Sequence, residues 1–120
     1  MRSTISPAKL RVLRLVLREK VHMFTAIGRV TLHLPESGSL KDKRQVVRSI
    51  LARLRNQFEV AAAEVDRQDS WQIAVLGIAY VSGEASHAEE VLDHAVRYIE
   101  ESRPDLAMTD VQVDVLPFGD

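Results

Sequence analysis

The side chains best suited to chemistry in this sequence lie in a short basic stretch, residues 39–44, which reads SLKDKR. An apolar run ends at Leu34, the letters PESG follow, and Ser39 then stands where the cap of a helix belongs. Cations in the first turn oppose the helix dipole, whose positive end lies at the N-terminus. These charges are therefore either incidental and solvated, or they lie beside an anionic partner.

A basic stripe continues from this stretch along the predicted helix of residues 40–58. At about 100° per residue, four cations fall within an arc of roughly 60°, beside the apolar stripe: Lys41, Arg44, Arg48 and Arg55. Backbone N–H groups at a helix N-terminus and side-chain cations together suit phosphate groups. The alternative is a solvated face, or one paired with an acidic second helix. The predicted phosphate- or RNA-binding residues are Lys41, Lys43, Arg44, Arg48 and Arg55, with Arg53 secondary.

Other residue types form no recognisable site. The chain has no cysteine, which excludes disulfides and thiolate chemistry, and its five glycines form no nucleotide-binding motif. His87 and His94 are seven apart, too far for the i, i+4 pair of a helical zinc site, and His33 has no evident ligand partner. We therefore predict no catalytic residue, no metal and no cofactor. One turn is crowded by carboxylates that either hold a hard cation or form a polar rim: Glu64, Asp66 and Asp69.

Two βαβ halves position these residues. Alternation predicts a strand over 23–34 with one buried face, and a 3.6-residue period predicts the helix over 40–58. Further strands are expected at 59–66, 71–81 and 107–116, and a second helix begins near a capping box formed by Ser86 and Glu89 and ends before Pro104. The order β-α-β-β-α-β predicts an α+β, ferredoxin-like fold: a four-stranded antiparallel sheet with two helices on one face and the first and third strands in the middle.

Composition limits the class of protein. With 120 residues, 46% hydrophobic and 28% charged, the chain is typical of one soluble globular domain, and no apolar run approaches the ~20 residues that span a membrane. Residues 1–22 hold six basic residues and one acidic residue, so they form a basic extension to a single ferredoxin-like domain at 23–118. This extension is either a helix capped by Ser6 with Pro7 in its first turn, a disordered segment, or upstream sequence ahead of a true start at Val21 or Met23.

The open face of the sheet is the second candidate surface. The first strand presents Thr25, Ile27, Arg29, Thr31 and His33 there, with no aromatic residue for stacking on RNA bases. The third strand is apolar on both faces, so its outward set is either Trp71, Ile73, Val75, Ala79 and Val81 or Gln72, Ala74, Leu76, Ile78 and Tyr80. Exposed aliphatic patches favour self-association, and we expect a homodimer or a higher even oligomer. The alternative is a monomer whose neighbouring side chains shield the patch.

The sequence resembles a known family over residues 23 to about 116. The most specific pieces are SLKDKR at 39–44, AEVD at 63–66, and Asp69 with Trp71, Leu76 and Gly77. These pieces are similar to the corresponding segments of the YlxP-like family of small bacterial proteins, which is catalogued as domain of unknown function 503. The resemblance implies a ferredoxin-like fold, a cytoplasmic location and, because the genes of the family often neighbour those of translation factors, a role linked to RNA or the ribosome. The family has no established catalytic residue, and residues 1–22 depart from its pattern, which favours a misplaced start.

Together these observations predict a non-enzymatic accessory factor of ribosome assembly or translation that binds RNA or a ribosomal particle through its first helix. Because no aromatic platform is present, contacts should be made to the RNA backbone and should be weakly selective for sequence. The alternative is a homo-oligomeric small-ligand or phosphate-binding module, or a minor enzyme, that uses the loop after the first strand. That loop does not resemble the acylphosphatase loop and has no asparagine to position water.

Overall fold

Four strands and two longer helices alternate in the part of the chain that the computed structural model describes, residues 6–9 and 22–119. Their bounds are β1 Met23–His33, α1 Leu40–Phe58, β2 Ala61–Asp66, β3 Ile73–Ser82, α2 Ala85–Ser102 and β4 Ala107–Phe118. The strands form one antiparallel sheet in the order β2-β3-β1-β4. This confirms the predicted ferredoxin-like α+β fold and the central position of β1 and β3.

The basic N-terminal extension lies almost entirely outside the described residues. Residues 7–9 are helical, and the backbone N–H of Lys9 donates to the Ser6 hydroxyl at 3.2 Å. This bond is the side-chain cap expected at the start of a helix. Two interpretations of residues 1–22 stay predictions: a longer helix, and upstream sequence ahead of a true start at Val21 or Met23.

The alternation of β1 divides its side chains between the two faces of the sheet. Ala26, Val30 and Leu32 are at most 1% exposed and lie under the helices, whereas Ile27 and Arg29 point to the open face. Both neighbours of β1 are antiparallel, and Ile27 lies opposite Ala79 on one side and Asp114 on the other. Directly opposite residues share a face, so β1 fixes the orientation of the whole sheet.

The register of β3 follows from its pairing with β1. Gly28 lies opposite Ile78, which places Ile78 and its alternate neighbours Ala74 and Leu76 under the helices, where they are buried. The outward set is therefore Ile73, Val75, Gly77, Ala79 and Val81. Val81 is 58% exposed, but Val75 is only 7% exposed although it lies on the open face, between its cross-strand partners on β1 and β2.

The helical layer covers one face of the sheet. α1 packs on β2, and α2 packs on β1, β3 and β4. Each helix buries an apolar stripe, Val47, Ile50, Leu51 and Leu54 on α1 and Ala88, Leu92, Ala95 and Ile99 on α2. The rings of Phe58 and Tyr98 meet edge to face at a centroid distance of 5.5 Å and join the two helices.

Several predicted boundaries differ from the structure for local reasons. β2 begins at Ala61 rather than at residue 59, because Glu59 takes a left-handed conformation (φ 55°) as the C-cap of α1. The capping box predicted from Ser86 and Glu89 is wrong, since α2 already begins at Ala85 with Glu84 as its N-cap. β4 continues to Phe118 through a proline, which an edge strand tolerates because one side needs no N–H donor.

Candidate phosphate-binding surface

The N-terminus of α1 is capped by its own side chains. Ser39 is extended (φ −161°), and its hydroxyl accepts the backbone N–H of Asp42 at 3.0 Å. The Asp42 carboxylate in turn accepts the N–H of Gly38 at 3.1 Å and places a negative charge at the positive end of the helix dipole. The N–H groups of Gly38 and Asp42 are therefore occupied, and the Asp42 carboxylate disfavours an anion at this helix end.

We name four exposed cations on one flank of α1 the basic row: Lys41, Arg44, Arg48 and Arg55. Arg53 is also exposed but lies outside this flank. The row runs from residue 41 to residue 55, and these fourteen helical steps cover about 21 Å. Within residues 22–119, no carboxylate lies within 4 Å of these cations. Arg55 also donates to the backbone carbonyl of Ala62 at 2.5 Å, which fixes that end of the row against the edge strand β2. The structure therefore keeps together four of the five predicted binding residues.

Lys43 does not belong to this surface. Its side chain is completely buried, and its ammonium donates to the carbonyl of Arg67 at 2.6 Å and lies 2.7 Å from a carboxylate oxygen of Glu64. The predicted contact between Lys43 and phosphate is wrong for this structure, because an ammonium held in this way does not reach the solvent. Lys43 instead ties the first turn of α1 to β2 and to the turn that follows it.

The contact between Lys43 and Glu64 is a charge pair with imperfect hydrogen-bond geometry. The Glu64 oxygen that faces the ammonium has no well-aligned hydrogen bond, although the distance of 2.7 Å is that of a close ion pair. Two opposite charges at this distance attract each other whatever the hydrogen-bond angle. A signal for it existed in the sequence: Lys43 lies about 200° from Lys41 on the helical wheel, among the apolar positions.

The second helix carries the opposite charge. Its exposed acidic residues are Glu89, Glu90, Asp93, Glu100 and Glu101, against one exposed arginine, Arg97. The helical layer is thus positive on α1 and negative on α2, as the sequence indicated. Among the described residues no ion pair joins the two helices, so the alternative in which α2 neutralises the basic row has no observed contact to support it.

The loop after β1 is held closed by hydrogen bonds within the protein and does not form an open binding site for an anion. Ser37 is buried, and its hydroxyl donates to the carbonyl of Ser39 at 3.1 Å. The Gln72 amide donates to the carbonyls of Pro35 and Ser37 at 3.3 and 3.1 Å, which pins the loop to the start of β3. No contact in this loop favours the alternative of a phosphate-binding module or enzyme.

The acidic turn offers no cluster of metal ligands. Glu64 pairs with Lys43, and Asp66 accepts the backbone N–H of Arg67 at 2.7 Å. In the described ranges, no group of three or more histidine or carboxylate side chains is placed to hold a metal ion. No helix among these residues is long and apolar enough to cross a membrane.

The marked pKa shifts lie beyond the end of α2 rather than on the basic row. Arg103 donates to both carboxylate oxygens of Asp105, at 3.0 and 2.9 Å. These hydrogen bonds hold the pKa of Asp105 below its usual value and raise the pKa of Arg103. Because the pair is exposed, we regard it as a surface clamp on the turn between α2 and β4.

The fold and this surface define a small ferredoxin-like α+β protein with an exposed basic helix. The chain belongs to the family described as "Protein of unknown function (DUF503)", whose model matches residues 25–113, and this confirms the family predicted from the sequence. A relative is the "Uncharacterized protein YlxP" of Bacillus subtilis (strain 168), 39% identical over 74 residues, which cover 62% of this chain and 79% of that protein.

Two solved structures resemble the chain at low identity. The crystal structure of PA3566 from Pseudomonas aeruginosa has 18% identity and a TM-score of 0.49, and covers 85% of this chain and 99% of that one. The de novo designed protein Foldit4 has 14% identity and a TM-score of 0.47, and covers 78% and 96%. Similarities this low carry no information on function.

Proposed function

We propose that this protein is a non-enzymatic, cytoplasmic accessory factor that binds the phosphate backbone of RNA, as presented by a ribosomal particle, through the basic row. The observation that supports this most directly is the exposure of Lys41, Arg44, Arg48 and Arg55 on one flank of a helix, without a carboxylate partner among residues 22–119. Four unpaired cations on a rigid support repel one another, and an anionic polymer relieves that repulsion.

The type of contact follows from the side chains present. The basic row has no aromatic member, so stacking on bases is not part of the binding. Lysine and arginine contacts to phosphates position a protein on RNA but do not read its sequence. Binding should therefore be weakly sequence-selective and strongly dependent on salt, because each phosphate that is neutralised releases a counterion.

The salt dependence gives a quantitative test. If the row neutralises about four phosphates of single-stranded RNA, the logarithm of the association constant should fall with the logarithm of salt concentration with a slope of about −2.8. Affinity should then drop about 50-fold between 50 and 200 mM salt. Fluorescence anisotropy with a labelled, unstructured RNA measures this slope, and a slope near zero in the wild type would contradict the proposal.

A matched pair of variants locates the binding surface. Arg48→Gln removes one cation of the row and should make the slope shallower by about 0.7. Arg97→Gln makes the same chemical change at an exposed position on the acidic helix α2 and should leave the slope unchanged. Equal effects of the two variants would mean that net charge, rather than the basic row, controls binding.

The ribosomal partner requires a separate experiment. Reversal of Lys41, Arg44 and Arg48 to glutamate should abolish cosedimentation with ribosomal particles from the native cell at low salt. Circular dichroism of the variant controls for folding. If the wild-type protein neither cosediments nor binds RNA in a salt-dependent way, the proposed function fails.

A further inference from the structure

The open face of the sheet has no second layer among the described residues. Register places its central side chains in two rows that run across β2, β3 and β1. The first row is Ala61, Ala79 and Ile27, and the second is Ala63, Gly77 and Arg29. Apolar side chains therefore occupy most of a face that the helices do not cover.

The shape of this face is uneven in a way that suits a copy of itself. A shallow concavity of about 740 Å³ lies over the alanines of β2 and β3 and extends to Ile27 on β1 and to Gln112 and Asp114 on β4. Ile27 on β1, 45% exposed, is one of the side chains that line this hollow, and it lies opposite Ala79. Strands are about 4.8 Å apart, so the projecting side chain of Ile27 and the low surface at Ala79 lie side by side on the same face.

The charge of the face favours a protein partner over RNA. Arg29 lies at the centre, and its guanidinium already donates to the Gln112 amide oxygen at 2.6 Å. Asp110 and Asp114 on β4 lie on the same face, since they are opposite Thr31 and Ile27 of β1. One arginine beside two aspartates does not attract a polyanion, and the row at the centre has no aromatic side chain for bases.

The size of the face is sufficient for a dimer. Four strands at about 4.8 Å and roughly ten residues at about 3.3 Å give a surface of about 600 Å². Two such surfaces bury about 1,200 Å², which is the lower end of the range for specific protein interfaces. A symmetric dimer is also the commonest assembly that covers an apolar patch completely.

We propose that a second copy of this chain packs on the open face, with the two-fold axis parallel to the strands and between β1 and β3. This axis lays β1 of each copy over β3 of the other. Because Ile27 and Ala79 are opposite each other in the sheet, Ile27 of each copy then packs on Ala79 of its partner, inside the concavity. The helical layers face outward, so both basic rows stay open and dimer formation is independent of the proposed RNA binding.

A charge placed in the centre of the face tests the dimer. Light scattering on the full chain at micromolar concentration should give twice the 13.5 kDa of one chain or a higher even multiple, and Ile27→Lys should give a monomer. Val111→Lys is the matched control: Val111 is 40% exposed but lies on the helical face, opposite Val30, and should leave the mass unchanged. A monomeric wild type, or a folded Ile27→Lys variant that keeps its mass, would overturn the proposal.

Crosslinking tests the position of the axis. The chain has no cysteine, so one introduced thiol reports on one position. Ile27→Cys lies beside the axis and should be joined into covalent dimers by a short bifunctional maleimide, whereas Gln57→Cys, exposed on α1, should remain monomeric on denaturing gels. Preferential crosslinking through residue 57 would place the interface on the helical layer and refute the inference.

Discussion

Replacement of Lys43 by methionine tests whether this residue binds RNA, as its charge suggests, or stabilises the fold, as its burial indicates. Methionine preserves most of the aliphatic length and removes the ammonium. The change leaves the Glu64 carboxylate, which is 16% exposed, and the carbonyl of Arg67 without their donor. The expected result is a large loss of stability with no direct effect on RNA binding.

The magnitude follows from the environment of the pair. Removal of one member of a buried ion pair costs about 3–5 kcal/mol, because the other charge stays buried alone. Glu64 retains some access to water, so we expect the free energy of unfolding to fall by about 2–4 kcal/mol. This is a large part of the roughly 5–15 kcal/mol that stabilises a typical domain. The double variant Lys43→Met/Glu64→Gln should recover part of the loss, since no unpaired charge remains.

Urea unfolding measures this effect. The midpoint should fall while the slope m stays constant, which indicates a change in stability rather than in compactness. Lys41→Met is the control, since it makes the same chemical change at an exposed position two residues away and should alter the free energy of unfolding by less than about 1 kcal/mol, in the stabilising direction. If the two variants differ by less than about 1 kcal/mol, Lys43 is not the anchor described above.

The same two variants should have opposite effects on binding. Lys41→Met should make the salt dependence of RNA binding shallower by about 0.7, whereas folded Lys43→Met should bind like the wild type. If Lys43→Met loses RNA binding while circular dichroism shows a folded protein, Lys43 takes part in binding. That result would refute the conclusion that its burial keeps it from phosphate.

Three further outcomes follow from particular contacts. Gly28→Ala should lower stability by about 1–3 kcal/mol in urea unfolding, because its Cβ would lie 3.1 Å from a methyl group of the fully buried Leu92. The depressed pKa of Asp105 contributes stability above its unfolded pKa, which is lost as pH falls through its folded pKa; NMR titration of Arg103→Gln should show that pKa rising towards its usual value. Lys41→Glu should raise stability by about 0.3–1 kcal/mol through the helix dipole while it weakens RNA binding.

The order and type of most elements were predictable because β1, α1, α2 and β4 each show one clear period. The two-residue alternation of β1 and the 3.6-residue stripe of α1 gave bounds within one residue of those observed. The register of β3 was not predictable, since both of its faces are apolar and a slip of one residue exchanges them. Only the pairing of Gly28 with Ile78 decides which face meets the helices.

The candidate site was predictable to the extent that it depends on one helix. The helical period alone places Lys41, Arg44, Arg48 and Arg55 together, and the structure keeps them on the surface. The partners of Lys43 lie on β2 and in the turn that follows it, and such long-range contacts leave no periodic trace. Charge alone therefore assigned Lys43 to the surface, although its position on the helical wheel indicated the core.

The helix geometry assigns different roles to neighbouring members of the stretch SLKDKR. Ser39 and Asp42 cap the first turn, and Lys43 turns inward to anchor it, so the helix start is held without help from the exposed cations. Lys41 and Arg44 therefore add nothing evident to the fold, and their position at the positive end of the dipole costs roughly 0.3–1 kcal/mol each at an exposed site. Unfavourable charges on a turn that is already capped and anchored are better explained by an anionic partner than by stability.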